Sequence, residues 1–167
     1  HSRCRSAVRQ ISRGQWGRRQ RVSTNTSEGR QVPRLDRLRL LIVEDQVYMR
    51  QTIRQTLNRL GVRHVYEAAE GGEGLKMTVR VRPDLVLCDV HMEPTDGLGF
   101  LENLRDFQNP TIAATPVVFL TVDAGEETVL KSRELAVNGY LVKPVSAAQL
   151  RETVNRILGP VIPAITG

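Results

Sequence analysis

The sequence predicts an α/β fold: a five-stranded parallel sheet with helices on both faces. Two patterns carry this. From residue 38 to residue 159 short apolar runs alternate five times with segments of helical period, the order that parallel strands with crossover helices require. The runs are continuous rather than alternating, as strands covered on both faces should be. Apolar residues make up 40% of the 167-residue chain, enough for a core, and aromatics only 4%, so aliphatic side chains must fill it.

Leu38-Arg39-Leu40-Leu41-Ile42-Val43 reads as the first strand. Residues 46–60 form the first helix, with Met49, Ile53, Leu57 and Leu60 on one face and Gly61 as its stop. The second strand spans 62–68, and a looser helix over 72–81 ends before Pro83. Residues 84–88 are the third strand, and 97–107 the third helix, with Leu98, Leu101 and Leu104 inward. The fourth strand runs 117–121, the fourth helix 126–136 and the fifth strand 140–142. Ser146-Ala147-Ala148-Gln149 opens the fifth helix as a capping box, and Ala147, Leu150, Val154 and Ile157 form its buried stripe before Gly159-Pro160. Gly71-Gly72-Glu73-Gly74 lacks the spacing of a phosphate-binding turn and is read as a loop.

The net charge of +6 is unevenly spread. Residues 1–34 hold nine arginines and one acid, Glu28, a local +8, while residues 35–167 hold 15 basic and 17 acidic side chains, or −2. Residues 1–36 show no period and read as a disordered Arg-rich arm. Residues 37–159 are the folded domain and 160–167 a short tail. Cys4 and Cys88 make no disulfide framework. No apolar run approaches the roughly 20 residues that span a bilayer, and no secretory signal is visible. A soluble, cytoplasmic protein without a membrane partner is the expectation.

Ligand sites in open α/β sheets lie beyond the carboxyl ends of the strands. Glu44 and Asp45 follow the first strand, Asp89 the third, Thr121 closes the fourth, and Lys143-Pro144 follows the fifth. Three crowded carboxylates stay ionised only around a cation. An all-oxygen set with few protein ligands suits Mg²⁺. With a cationic Lys143 and a hydroxyl at Thr121, the set has what phosphoryl transfer to a carboxylate needs.

These residues, in this order and in the contexts Leu41-Ile42-Val43-Glu44-Asp45, Asp84 to Met92 and Thr95-Asp96-Gly97-Leu98, resemble the receiver domain of bacterial two-component response regulators (CheY-like) over about residues 37–159. The resemblance implies a flavodoxin-like strand order 2-1-3-4-5. It implies Asp89 as phosphoacceptor and as one of the metal-site residues, Asp45 as direct ligand of Mg²⁺ (or Mn²⁺), Glu44 acting through water, and the backbone carbonyl of His91 completing the metal shell. Lys143 pairs with phosphoryl oxygens, Thr121 hydrogen-bonds them, and Tyr140 is the switch aromatic. A sensor histidine kinase or phosphotransfer protein is the implied donor. A downstream protein target is expected on the surface formed by the fourth helix, fifth strand and fifth helix, which is also where a homodimer would form. Such a domain catalyses its own phosphorylation and dephosphorylation without turning over an external substrate. With no output domain after residue 160, a stand-alone receiver is expected.

Glu93 departs from the family pattern, since many members have Pro directly after the Met at 92 and here Pro94 comes one later. His91 and Asp123 hold positions that influence dephosphorylation in this family. Taken singly, Asp45 or Asp89 reads as readily as a helix N-cap. Asp96 reads as a cap, Cys88 as a core residue and His64 as a surface one. Two other function classes stand beside the receiver. One is a nucleic-acid-binding module acting through the basic arm, disfavoured because Trp16 is its only aromatic. The other is a phosphatase-like hydrolase with an aspartyl-phosphate intermediate, which lacks a carboxylate at His91, two residues past the nucleophile.

Overall fold

The computed structural model describes residues 32–122 and 125–163, apart from the side chains at 126 and 127. Cys4, Trp16, Glu28, Asp123 and all of the arm before Val32 lie outside the described residues. Five parallel strands, β1 (Arg39–Val43), β2 (His64–Ala68), β3 (Leu85–Asp89), β4 (Val117–Thr121) and β5 (Gly139–Val142), pair in the order β2-β1-β3-β4-β5. Among the described residues six α-helices connect or follow them: α1 (Val47–Leu60), α2 (Gly71–Val81), α3 (Gly97–Arg105), α4 (Pro110–Ala113), α5 (Glu126–Glu134) and α6 (Ala147–Leu158).

Successive strand residues point to opposite faces, and both faces are covered. Leu40, Ile42, Leu85, Leu87, Val118 and Leu120 meet Ile53 and Leu57 of α1 and Leu150 and Val154 of α6. Leu41, Val43, Val86, Cys88, Val117 and Phe119 meet Phe100, Leu101 and Leu104 of α3. The continuous apolar runs are therefore two interleaved half-cores. Burying each such side chain contributes about 2 kcal/mol, and this places the strand ends that carry the polar groups.

Gly61 stops α1 in the left-handed region (φ 102°), where its amide bonds back to the carbonyls of Asn58 and Leu57. The capping box of α6 is present as expected. Several expectations need correction. Gly71, Gly72 and Gly74 are not a loop but the first turn of α2. A Cβ at Gly71 would stand 2.8 Å from the Thr95 carbonyl oxygen, and one at Gly74 2.9 Å from Val43 Cγ2. These glycines let the helix lie close on β1 and the β3–α3 loop. α4, capped by the Asn109 side chain, was not expected. It makes α5 and α6 the expected fourth and fifth helices. Phe100 points inward with Leu101 and Leu104, while Leu98 is only half-buried. Ala147 is exposed and Thr153 takes its place in the buried stripe.

Regular structure is also described outside residues 37–159. Leu35–Arg37 form a 3-10 turn with Leu35 buried, and Arg34 bridges Ile162 in parallel, with Leu35 N donating to Ile162 O at 3.1 Å. No helix among the described residues is long and apolar enough to cross a membrane.

Candidate functional site

Register builds the site. Val43 stands opposite both Ala68 and Cys88, Asp89 opposite Leu120, and Thr121 opposite Val142. Glu44, Asp89, Thr121 and Lys143 therefore reach the same edge of the sheet. One oxygen from each of Glu44, Asp45 and Asp89 lies within 4.8 Å of the others. Glu44 is fully buried, Asp89 is 5% exposed and Asp45 is open to solvent.

Lys143 bridges two of the three carboxylates. Its Nζ is 2.7 Å from Glu44 Oε2 and 3.1 Å from Asp89 Oδ1. The other Glu44 oxygen accepts from Gln46 N at 3.2 Å. Burial pushes the Glu44 carboxyl above its usual range and the Asp89 charge adds to this, against the pull of Lys143. Burial alone would lower the Lys143 ammonium, but its hydrogen bonds and charge attraction to Glu44 and Asp89 prevail and hold it above its ordinary value. The cluster therefore favours the charged ammonium of Lys143 and makes Glu44 easier to protonate than an ordinary glutamate.

The N-cap alternatives separate cleanly. Gln46, not Asp45, is the N-cap residue of α1, and Asp89 ends β3. Asp96 does cap α3, accepting from Gly99 N at 2.7 Å. Its neighbours shape the entrance: Asp45, His91, Met92, Glu93 and Asp96 line an open cavity of about 450 Å³. The His91 side chain is exposed on this loop, which carries its backbone carbonyl past Asp89. Cys88 is buried and its thiol pushed well up, chiefly by burial, and His64 is exposed.

Thr121 is 2% exposed at the end of β4. Tyr140 does not join the acidic cluster. Its ring turns toward Phe119, centroids 6.2 Å apart, and its hydroxyl bonds with Ser132 Oγ and donates to Val129 O at 3.2 Å. Two polar residues near the site carried no motif in the sequence. Arg50, one turn into α1, donates from Nη1 to the Glu44 carbonyl at 2.7 Å. Ser132 is a fully buried hydroxyl in α5. The helical position of each was legible, but Glu67, the carboxylate partner of Arg50, lies on β2 and Tyr140, the hydroxyl partner of Ser132, lies on β5.

The donor set fits a hard divalent cation: three carboxylates converge, one is solvent-accessible, and no soft ligand takes part.

The fold and this edge define a CheY-like receiver. Residues 40–155 match the response regulator receiver domain, and the chain belongs to that family. It is 32% identical over 120 residues to chemotaxis protein CheY-3 of Vibrio cholerae serotype O1, across 72% of this chain and 91% of that protein. Among solved structures, Vibrio cholerae CheY4 crystallised at low pH superposes with a TM-score of 0.66 at 29% identity, covering 72% of this chain and 98% of that one. The receiver domain of sensor histidine kinase PA1611 from Pseudomonas aeruginosa PAO1, solved with magnesium coordinated in its active site cleft, gives 0.66 at 28% identity, covering 74% and 98%.

Proposed function

We propose that this receiver takes a phosphoryl group onto Asp89 in a Mg²⁺-dependent reaction and so switches a protein-binding surface. The observation that carries the reading is Lys143 reaching both Glu44 and Asp89 beside the open carboxylate of Asp45. An Asp89 oxygen attacks phosphorus of a phosphohistidine on a sensor kinase or phosphotransfer protein, and the bond from phosphorus to the donor nitrogen breaks. Lys143 meets the incoming oxygens with its positive charge, and the Thr121 hydroxyl donates to one of them. Asp45, Asp89 and the His91 carbonyl would hold the metal directly. Glu44, with both oxygens engaged by Lys143 and Gln46, acts through water. The bound Mg²⁺ or Mn²⁺ supplies neutralisation of the crowded negative charge. That PA1611 receiver's magnesium supports the choice of metal.

The output surface is α5, β5 and α6, where Leu130 and Val142 are exposed large apolar residues. A downstream protein covers it, and a second copy of the chain is the alternative occupant. On this reading the domain works in the cytoplasm and turns over no external substrate.

The test is incubation of the full chain with Mg²⁺ and a small phosphodonor such as acetyl phosphate. Intact mass should show one added phosphoryl group, labile to hydroxylamine and absent from Asp89→Asn. Phosphorylation that persists in Asp89→Asn, or that proceeds equally in excess chelator, overturns the assignment.

A further inference from the structure

Asp45 has to aim its carboxylate from an exposed position, yet its own side chain is not what fixes it. The residue before it, Glu44, is held at three points, of which only the carbonyl belongs to the peptide that leads into Asp45. Glu44 N donates to Ala68 O at 3.0 Å, and the Glu44 side chain is tied to Lys143 and Gln46 N. The Glu44 carbonyl accepts from Arg50 Nη1 at 2.7 Å. Arg50 is itself anchored: its side chain is 16% exposed and its Nε lies 3.3 Å from Glu67 Oε2 on β2, while the other Glu67 oxygen takes Arg54 Nη1 at 3.0 Å.

We propose that Arg50 is a positioning residue for the metal site: by holding the Glu44 carbonyl it sets the direction in which Asp45 leaves the end of β1. The inference rests on the metal-dependent reading above. A guanidinium suits the task because its rigid fork can hold a carbonyl and a carboxylate together, which a lysine ammonium on a flexible stem does less well.

Two simpler roles predict different results. As a bare charge, Arg50 repels a nearby cation, so removing it should tighten Mg²⁺ binding. As a purely structural link between α1 and β2, its loss should lower the melting temperature and leave Mg²⁺ affinity unchanged. The positioning role predicts the opposite sign from the first and a real effect where the second has none. Losing a group that orients a ligand weakens metal binding about tenfold or more.

The experiment is calorimetric titration of Mg²⁺ alone into the full chain as wild type, Arg50→Met and Arg50→Lys, with melting temperatures recorded alongside. Methionine keeps the apolar stem and drops the donors. Arg50→Met should bind Mg²⁺ about tenfold more weakly, and Arg50→Lys should recover part of the loss. Phosphorylation of Arg50→Met should need more Mg²⁺ but approach the wild-type rate once Mg²⁺ saturates. Unchanged or tighter binding in Arg50→Met overturns the inference. If Arg50→Met does not fold, Arg50→Lys decides: affinity below wild type supports the role and equal affinity overturns it. A wild type that binds no Mg²⁺ brings down the metal-dependent reading itself, and this inference with it.

Discussion

Gly97 lies flat against the backbone of Asp89: a Cβ at position 97 would stand 2.4 Å from the Asp89 carbonyl oxygen and 2.9 Å from the Val90 Cα. The Gly97 amide donates to Val90 O at 2.9 Å, so the first residue of α3 and the end of β3 are one packed unit. Nothing but hydrogen fits between them.

Gly97→Ala must therefore push backbone, which a rotamer change cannot relieve. Overpacking of this kind should cost about 2 kcal/mol, read as a lower midpoint in urea unfolding. It should also slow phosphorylation by displacing Asp89. Gly99→Ala is the control, since its Cβ would meet only side-chain atoms, at 3.2 Å or more. Equal midpoints for Gly97→Ala and wild type would show that the contact yields freely.

The residues of the sheet edge were legible because each sits beside an apolar run whose register is forced by burial on both faces. Val43 cannot slip relative to Cys88 without exposing a core side chain, so Glu44 and Asp89 arrive together. Lys143 followed from the same logic at the end of β5. The glycines of α2 were misread because their reason is not local. Gly71 and Gly74 are small on account of Thr95 and Val43, both distant in sequence, while helix propensity argues against them. Arg50 was illegible for a similar reason, because its partners Glu44 O and Glu67 become neighbours only when β1 and β2 pair.

Removing Lys143 should cost more than a surface ion pair would. Glu44 has no exposure at all and loses its cationic partner in Lys143→Met. Breaking a buried pair on one side costs about 3 kcal/mol or more. The pH dependence follows from the direction of the Glu44 shift. Its folded-state pKa is raised, so the folded state holds more protons and stability falls as pH rises through that value. Without Lys143 the rise is larger. Urea unfolding of Lys143→Met should show a smaller deficit at about pH 5 than at about pH 7.5, and Mg²⁺ should restore stability by binding the folded state. A pH-independent deficit counts against Glu44 as its source.

Glu70 predicts the opposite slope. Its side chain caps α2 by accepting from Gly72 N and Glu73 N, both at 2.7 Å. Those backbone hydrogen bonds, the one to Gly72 foremost, hold its carboxyl below the ordinary glutamate value of 4.5. A depressed pKa contributes stability that is present above the unfolded value and is lost as pH falls through the folded one. Glu70→Ala should lose about 1 kcal/mol at neutral pH, and the gap to wild type should shrink as pH drops below 4.5. A gap that stays constant into acid would assign the loss to something other than the charged cap.

The hydroxyls of Ser132 and Tyr140 form the last pair open to direct measurement. Ser132 is fully buried in α5 and also donates toward the carbonyls of Thr128 at 2.7 Å and Val129 at 3.0 Å, while Tyr140 reaches Val129 O at 3.2 Å. Each hydroxyl therefore keeps a carbonyl partner when the other is deleted. Ser132→Ala and Tyr140→Phe should each cost only about 1 kcal/mol. If the two hydroxyls bond to each other, the double variant should lose less than the sum of the singles, by about 0.5 kcal/mol or more. Strict additivity would place the tyrosine hydroxyl on Val129 alone. Coupling would tie the ring of Tyr140 to α5, so that a change at β5 is felt along the helix that carries Leu130 at the surface.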